Sequence, residues 1–573
     1  MKQKLGIGAN NWTKMEPALY QSIIEKGIEN GFTVFEAGQE GGDAALVEAY
    51  KSAKSKLPSN SNKTTPITMT MRIGYRTVLP PDSTTKAQDV LDFFPGDVAV
   101  EQHPFLGPNR TMTPMDDKDA NLKPPAAKKT NGETQMIQIL HNMKSVYIRH
   151  QLSTSPLVQE YQKEASSSDN NKSSNLRIVA LVHNPEAQIM ELANEKSIHQ
   201  VSQEDRQTFL RDKLVEAFCA LETAVADQQI SSYGVASNGL GLPNEHPLFL
   251  HKDTVLEAAK LAMEKNGSDK CHMSCIQLPI NLMERKGLYI ARELHSKIHN
   301  KDDAADDEYQ YLRDDPPLEI YAMRPLTCYP DRGTGTGHAF RLVDYLLPSG
   351  PKEHNKEEPV VEDGEAQEVD KDQISDEDMT SKEWSNRMQG PPLIYSIALK
   401  KAMQHFDAEH LLEEKMQRDL TPEERETLDG CKLLQSMLHD LDVTLADVRS
   451  LGAHEQDLYQ RIIPLIHDTF EGYDEETADV LQMFFKAYAL AVRYSIARNT
   501  RSLLQNGGDD GNSYKYEDIP DEEKLQNYAL MYLMKDEAIS KVIVGATKVD
   551  HVEDLVRLCD RLDAAPANSD SSD

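Results

Sequence analysis

The sequence predicts an α/β fold, a (β/α)8 TIM barrel carrying two long insertions, and three observations predict it. Short β-rich runs alternate with amphipathic helical stretches, the order expected of parallel strands joined by crossover helices. Eight such runs occur, each with a helical stretch after it. Two segments do not belong to the alternation: 76–134, a long loop between the third strand and the third helix, and 327–520, a larger insertion after the seventh strand.

In chain order the runs are KLGIG (4–8), TVFE (33–36), ITMTMRIG (67–74), RIVALVH (177–183), SSYGVAS (231–237), MSCIQLP (273–279), LEIYAM (318–323) and KVIVGA (541–546). Their apolar and β-branched content suits strands buried on both faces. Helices are expected over 15–30, 43–56, 135–152, 205–227, 252–265, 284–298 and 550–562. In FLRDKLVEAFCALETAVAD the apolar positions recur at three- and four-residue steps, which gives one buried face and one charged face.

The resulting division places the first three strands in 1–75, a long insertion loop in 76–134, strands four to seven in 135–326, the second insertion in 327–520, and the last strand and helix in 521–562. Residues 76–134 are rich in Pro, Asp, Lys and Thr with little periodicity. The second insertion contains an acidic stretch, about 350–385, whose low hydrophobicity and like-charge repulsion predict disorder. Helical stretches follow it at 396–417, 424–440, 455–470 and 475–505, expected to bury a face against the barrel. Residues 563–573 read as a loose tail.

Composition narrows the function classes. The chain has 573 residues, 39% of them hydrophobic, enough for a sizeable core, while a mean hydropathy of -0.59 reflects long polar stretches. A formal net charge of -32 repels phosphate backbones and anionic lipid, so neither nucleic acid nor a membrane is an expected partner. No run approaches the roughly 18 apolar residues of a membrane helix. The opening MKQKLGIGANNW enters a strand pattern at once and leaves no room for a secretory segment, so a cytoplasmic, reducing setting is expected. Six cysteines, of which only Cys271 and Cys275 lie close together, form no disulfide framework and no zinc spacing. A metal hydrolase is disfavoured too, since no HxH pair occurs.

Barrel enzymes place their chemistry at the carboxyl ends of the strands. Read that way, the ends supply Glu36, Arg72, His183, Ser237 with Asn238, Gln277, Arg324, and the run Gly545, Ala546, Thr547, Lys548. Each has a bland alternative, such as a turn cap for Glu36 or a structural ion pair for Arg72. Together they point to a site. The helix opening at GATKVDHVEDL offers free N–H groups and a positive dipole end to an anion, with Lys548 beside it. GTGTGHAF (333–340) lacks a preceding strand and a following crossover helix, so it is a poor nucleotide loop.

The segments GFTVFEAGQEGG, LVHNPE, AFCALETAVADQQISSYGVASN, CIQLPINLMER, AMRPL and ISKVIVGATKVDHVEDL resemble, in order, those of the aldo-keto reductase family. The similarity covers 1–75, 135–326 and 525–562. It implies a barrel oxidoreductase that binds NADPH without a Rossmann domain. Asn238 and Gln277 fall where that family holds the nicotinamide amide, and Arg324 with Leu326 where the seventh strand's loop meets the cofactor. Gly545, Thr547 and Lys548 fall where it holds the adenosine phosphates; Lys548 would favour a 2′-phosphate.

The family's aspartate, tyrosine, lysine and histidine correspond here to Glu36, Gly41, Arg72 and His183. Glu36 and Arg72 keep the charges and can pair, and a guanidinium stays protonated. Gly41 removes the proton donor, a loss worth typically 10² to 10⁴ in rate unless replaced. His183, Tyr75 or a residue of the insertions could replace it. Two functions stay open: an NADPH-dependent reductase acting on a small carbonyl or sugar-like substrate with an altered donor, or a non-catalytic cofactor-binding barrel whose acidic and helical insertion recruits a protein partner.

Overall fold

A computed structural model of the chain describes residues 1–8, 17–37, 42–56, 66–78, 99–104, 136–167, 175–193, 200–299, 307–313, 317–329, 340–343, 390–407, 421–445, 475–507, 515–516, 519–520 and 523–564. Its strands are β1 (Leu5–Gly8), β2 (Val34–Glu36), β3 (Ile67–Ile73), β4 (Tyr75–Val78), β5 (Ala99–Pro104), β6 (Met136–His141) and β7 (Leu176–His183). Then follow β8 (Ser232–Ala236), β9 (Met273–Pro279), β10 (Glu319–Met323), β11 (Thr327–Cys328), β12 (Phe340–Arg341) and β13 (Lys541–Gly545).

Eight of these close into a barrel in the order β1, β13, β10, β9, β8, β7, β3, β2, and every neighbouring pair is parallel. Helices on the return paths, among them Pro17–Glu29, Gly42–Lys56, Gln203–Ala226, Lys252–Lys265, Lys286–His299 and Val549–Ala564, complete a (β/α)8 architecture. The expected strands, and the barrel helices other than the one expected over 135–152, lie within a few residues of these bounds. Because side chains alternate along a strand, one set per strand points inward. Val34, Val179, Leu181, Ala236, Cys275, Tyr321 and Ile543 form that inner cluster, all nearly inaccessible. Each such burial contributes about 1.5–3 kcal/mol for a large side chain. They fill the barrel interior, so the next inward positions, two residues on, such as Glu36 after Val34, His183 after Leu181 and Gln277 after Cys275, fall at its carboxyl-end rim.

The thiol and imidazole of the CHMSC stretch have structural surroundings. Glu222, on the helix Gln203–Ala226, accepts from Tyr233 Oη at 2.8 Å and from the His272 backbone N–H at 3.0 Å, and pairs with His272 Nδ1 at 2.5 Å. This ties a crossover helix to the amino ends of β8 and β9. All six cysteines are free thiols.

Between β3 and the third group of helices the structure departs from the expected loop and helix. β4, β6 and β5 form an antiparallel sheet in that order, and the helix begins at Ser145, not at 135. The run MIQILH carries apolar residues at Met136, Ile137, Ile139 and Leu140, spacings of one, three and four that read as helix, and it stands shortly before a helix, so it merges with it in the sequence.

The chain forms two compact units, the barrel unit and a second one made of Leu326–Asp331 and Thr336–Ala529. The second unit's described helices Gly390–His405, Pro422–Leu445 and Glu475–Asn506 share a core of Tyr395, Phe406, Leu434, Leu438, Phe484 and Tyr488. β11 and β12 pair as a short ladder. The expected acidic stretch, the helix at 455–470, the tail beyond residue 564 and the glycines of GTGTGHAF lie outside the described residues. Among the described residues no helix is long and apolar enough to cross a membrane.

Candidate active site

At the carboxyl-end rim one carboxylate oxygen gathers donors from two other strands. Glu36 is the last residue of β2, and its Oε1 accepts from Arg72 Nε at 2.7 Å, lies 2.6 Å from Arg72 Nη2, and accepts from Gln277 Nε2 at 3.3 Å. The side chains of Glu36 and Arg72 are 4% and 12% exposed. Gly8 makes room for this carboxylate, because a Cβ there would stand 3.2 Å from Glu36 Oε2 and 2.8 Å from Ile543 Cγ2. Burial works against the Arg72 charge, but Glu36 and then Tyr75 outweigh it and hold its pKa above the ordinary value. The guanidinium is a permanent cation at the mouth.

His183 ends β7 at the same level. Its ring centroid lies 4.6 Å from that of Tyr75, which in turn lies 6.3 Å from His141. Burial first, then the Arg72 charge and His141, push the His183 pKa well below the usual 6.5. The imidazole is therefore neutral near pH 7. Its Nδ1 is buried and meets no hydrogen-bond partner among the described residues.

Tyr75 and His141 reach the rim because the insertion sheet springs directly from β3. Gly74 takes φ +80°, a left-handed conformation that costs a side-chain-bearing residue about 1–2 kcal/mol, and so turns the chain from β3 into β4. Gln151 clamps that turn, accepting from the Gly74 N–H at 2.8 Å and donating to the Tyr75 carbonyl at 2.9 Å. The Asn142 N–H donates to the Gly74 carbonyl at 2.8 Å, and Tyr75 faces His141 in the ladder.

On the β8 side, Asn184 adopts φ 45° and its Oδ1 accepts from Asn238 Nδ2 at 3.1 Å. Glu186 accepts from Ser237 Oγ and from the Gly239 N–H, both at 2.7 Å, which fixes the turn after β8. Burial raises the Glu186 pKa, with these two donors opposing it. Ser237 is thereby engaged in structure. Asn238 Oδ1 and Gln277 Oε1 are buried and meet no hydrogen-bond partner among the described residues. Leaving a buried acceptor unmet costs about 1–3 kcal/mol, and such unmet groups are unusual in folded proteins.

Glu36, Arg72 and Gln277 thus come together in direct contact, His183 stands within the field of Arg72, and Asn238 stands on the turn that follows the strand next to His183's. Arg324 follows β10 with φ 55° and pairs with Glu284 at 2.9 Å. Leu326 lies in the turn before β11, in the second unit. Gly545 ends β13 opposite Gly8. Thr547 and Lys548 precede the helix Val549–Ala564, where the Thr547 N–H already donates to His551 Nδ1 at 3.2 Å. Gly41 lies outside the described residues. No separate sequence signal marks His141, Asn142 and Gln151: the apolar spacing of MIQILH reads as the start of a helix, which conceals the strand that carries His141. No group of three or more His, Cys, Asp or Glu among the described residues is placed to hold a metal ion.

A scan against protein-family models matches none of them, and a search of curated proteins finds no match.

Proposed function

We propose that the chain is an NADPH-dependent oxidoreductase of aldo-keto reductase type, reducing a small carbonyl or sugar-like substrate with a rebuilt proton-donor site. The observation that carries the reading is the pair of unmet buried acceptors, Gln277 Oε1 and Asn238 Oδ1, at the same rim as a permanently charged Arg72. A nicotinamide carboxamide offers N–H donors to such acceptors, so the residues present fit the group. When bound, NADPH supplies a hydride to a carbonyl carbon. Asn238 and Gln277 would hold its amide, and Gly545, Thr547 and Lys548 its phosphates.

The chain's own residues divide the remaining work. Arg72 presents its charge to the oxygen on which negative charge grows, the kind of fixed electrostatic stabilisation that lowers barriers most. Glu36 orients Arg72 and balances its charge. His183 orients the substrate by hydrogen bonding and is not the acid, because burial and the Arg72 charge hold its pKa below the usual value and keep it from being an imidazolium near pH 7.

One observation favours a second reading. Arg72 commits both Nε and Nη2 to Glu36, an arrangement equally suited to a barrel that binds the cofactor without turnover and recruits a protein partner through its acidic and helical insertion. Purified protein, NADPH and a panel of aldehydes and sugars separate the two. Nicotinamide oxidation supports the reductase; saturable NADPH binding without oxidation supports the second reading; neither result rejects both.

A further inference from the structure

We infer that Tyr75 is the residue that protonates the substrate oxygen at this rim, and that Arg72 holds the phenolate left behind. The inference rests on the reductase reading above and supplies the donor which that reading lacks.

Four features place the phenol. Its side chain lies close enough to Arg72 to help Glu36 hold that guanidinium's pKa above the ordinary value. Its ring packs against His183 at the end of β7, and the residue is 6% exposed. Its backbone is fixed by Gln151 through Gly74 and the Tyr75 carbonyl, and by the ladder to His141. Finally, the other polar groups around the barrel are unsuited or engaged. Ser237 donates to Glu186, and the hydroxyls of Tyr321 and Tyr233 donate to Glu319 and Glu222. Guanidinium does not deprotonate, and His183 is neutral. A phenol beside a fixed cation is a competent acid because the cation favours its conjugate base.

The step balances. A bound reduced nicotinamide would supply the hydride to the carbonyl carbon, and the C=O π pair would move onto oxygen. That oxygen takes the Tyr75 proton, the phenolate pairs with Arg72, and water returns the proton afterwards. The products are an alcohol and the oxidised nicotinamide.

Tyr75→Phe keeps the ring against His183 and removes only the proton. With NADPH and D-glyceraldehyde or 4-nitrobenzaldehyde, kcat should fall by about 10² to 10⁴, while the dissociation constant for NADPH, read by fluorescence, stays within about twofold. Turnover by Tyr75→Phe within about threefold of the parent overturns the assignment and leaves the reductase reading standing. Absence of NADPH oxidation by the parent chain overturns both. Should Tyr75→Phe fold poorly, 3-fluorotyrosine at position 75 leaves the packing intact and makes the phenol a stronger acid. The alkaline limb of kcat should then move to lower pH, and an unmoved limb rejects Tyr75 as donor.

Discussion

Arg72 reaches a single oxygen of Glu36 with two of its nitrogens, at 2.7 and 2.6 Å, from a neighbouring strand of a closed barrel. Both partners are largely withdrawn from water, and in such a pair the loss of one partner strands the other charge. Arg72→Met should therefore lower stability by about 3–5 kcal/mol. Adding Glu36→Gln to it should recover most of that loss, since the double variant buries no charge. Urea unfolding of the two single variants and the double one measures the coupling; two equal, independent losses would argue against a paired site.

Gly74 is the hinge on which the insertion sheet meets the barrel. A Cβ at this position would find its nearest neighbour, the Asn142 carbonyl oxygen, at 3.6 Å, an ordinary contact. The cost of Gly74→Ala is then conformational and not steric. It should amount to about 1–2 kcal/mol, read as a lower unfolding midpoint. A far larger loss would mean that the turn is tighter than its geometry implies.

The sign of the His183 effect follows from its depressed pKa. Below about 6.5 the unfolded chain takes up a proton that the folded chain refuses, so this group's contribution is fully present above 6.5 and is lost as pH falls. One such proton contributes at most about 1.4 kcal/mol per pH unit. His183→Asn should flatten the stability profile between pH 7.5 and about 5.5. An unchanged slope would show that the folded chain accepts the proton.

The barrel was legible because eight runs of apolar and β-branched residues are each short, bounded and followed by a 3.6-period stretch, and both periodicities survive in a single sequence. The insertion sheet was not, because β4 and β5 sit among proline- and charge-rich residues and β6 runs almost directly into a helix. Arg72 and Glu36 could be foreseen as partners from strand position alone. The neutrality of His183 could not, since it depends on desolvation and on the distance to Arg72 and His141, neither of which is written in residue order.

Lys548 stands at the opening of the last helix, whose first turn already contains Asp550. If Lys548 meets a 2′-phosphate, Lys548→Glu should weaken NADPH by about ten- to a hundredfold, the value of a hydrogen bond to a charged group. NADH should be affected far less. Fluorescence titrations with both cofactors decide the matter, and equal weakening rejects the role.

The most direct measurement is a titration of the purified chain with NADPH alongside Gln277→Ala and Asn238→Ala. Saturable binding, weakened by about tenfold in each variant, is the result expected if a carboxamide satisfies the two unmet acceptors. No saturable binding, or binding indifferent to both substitutions, would contradict a dinucleotide pocket at this rim.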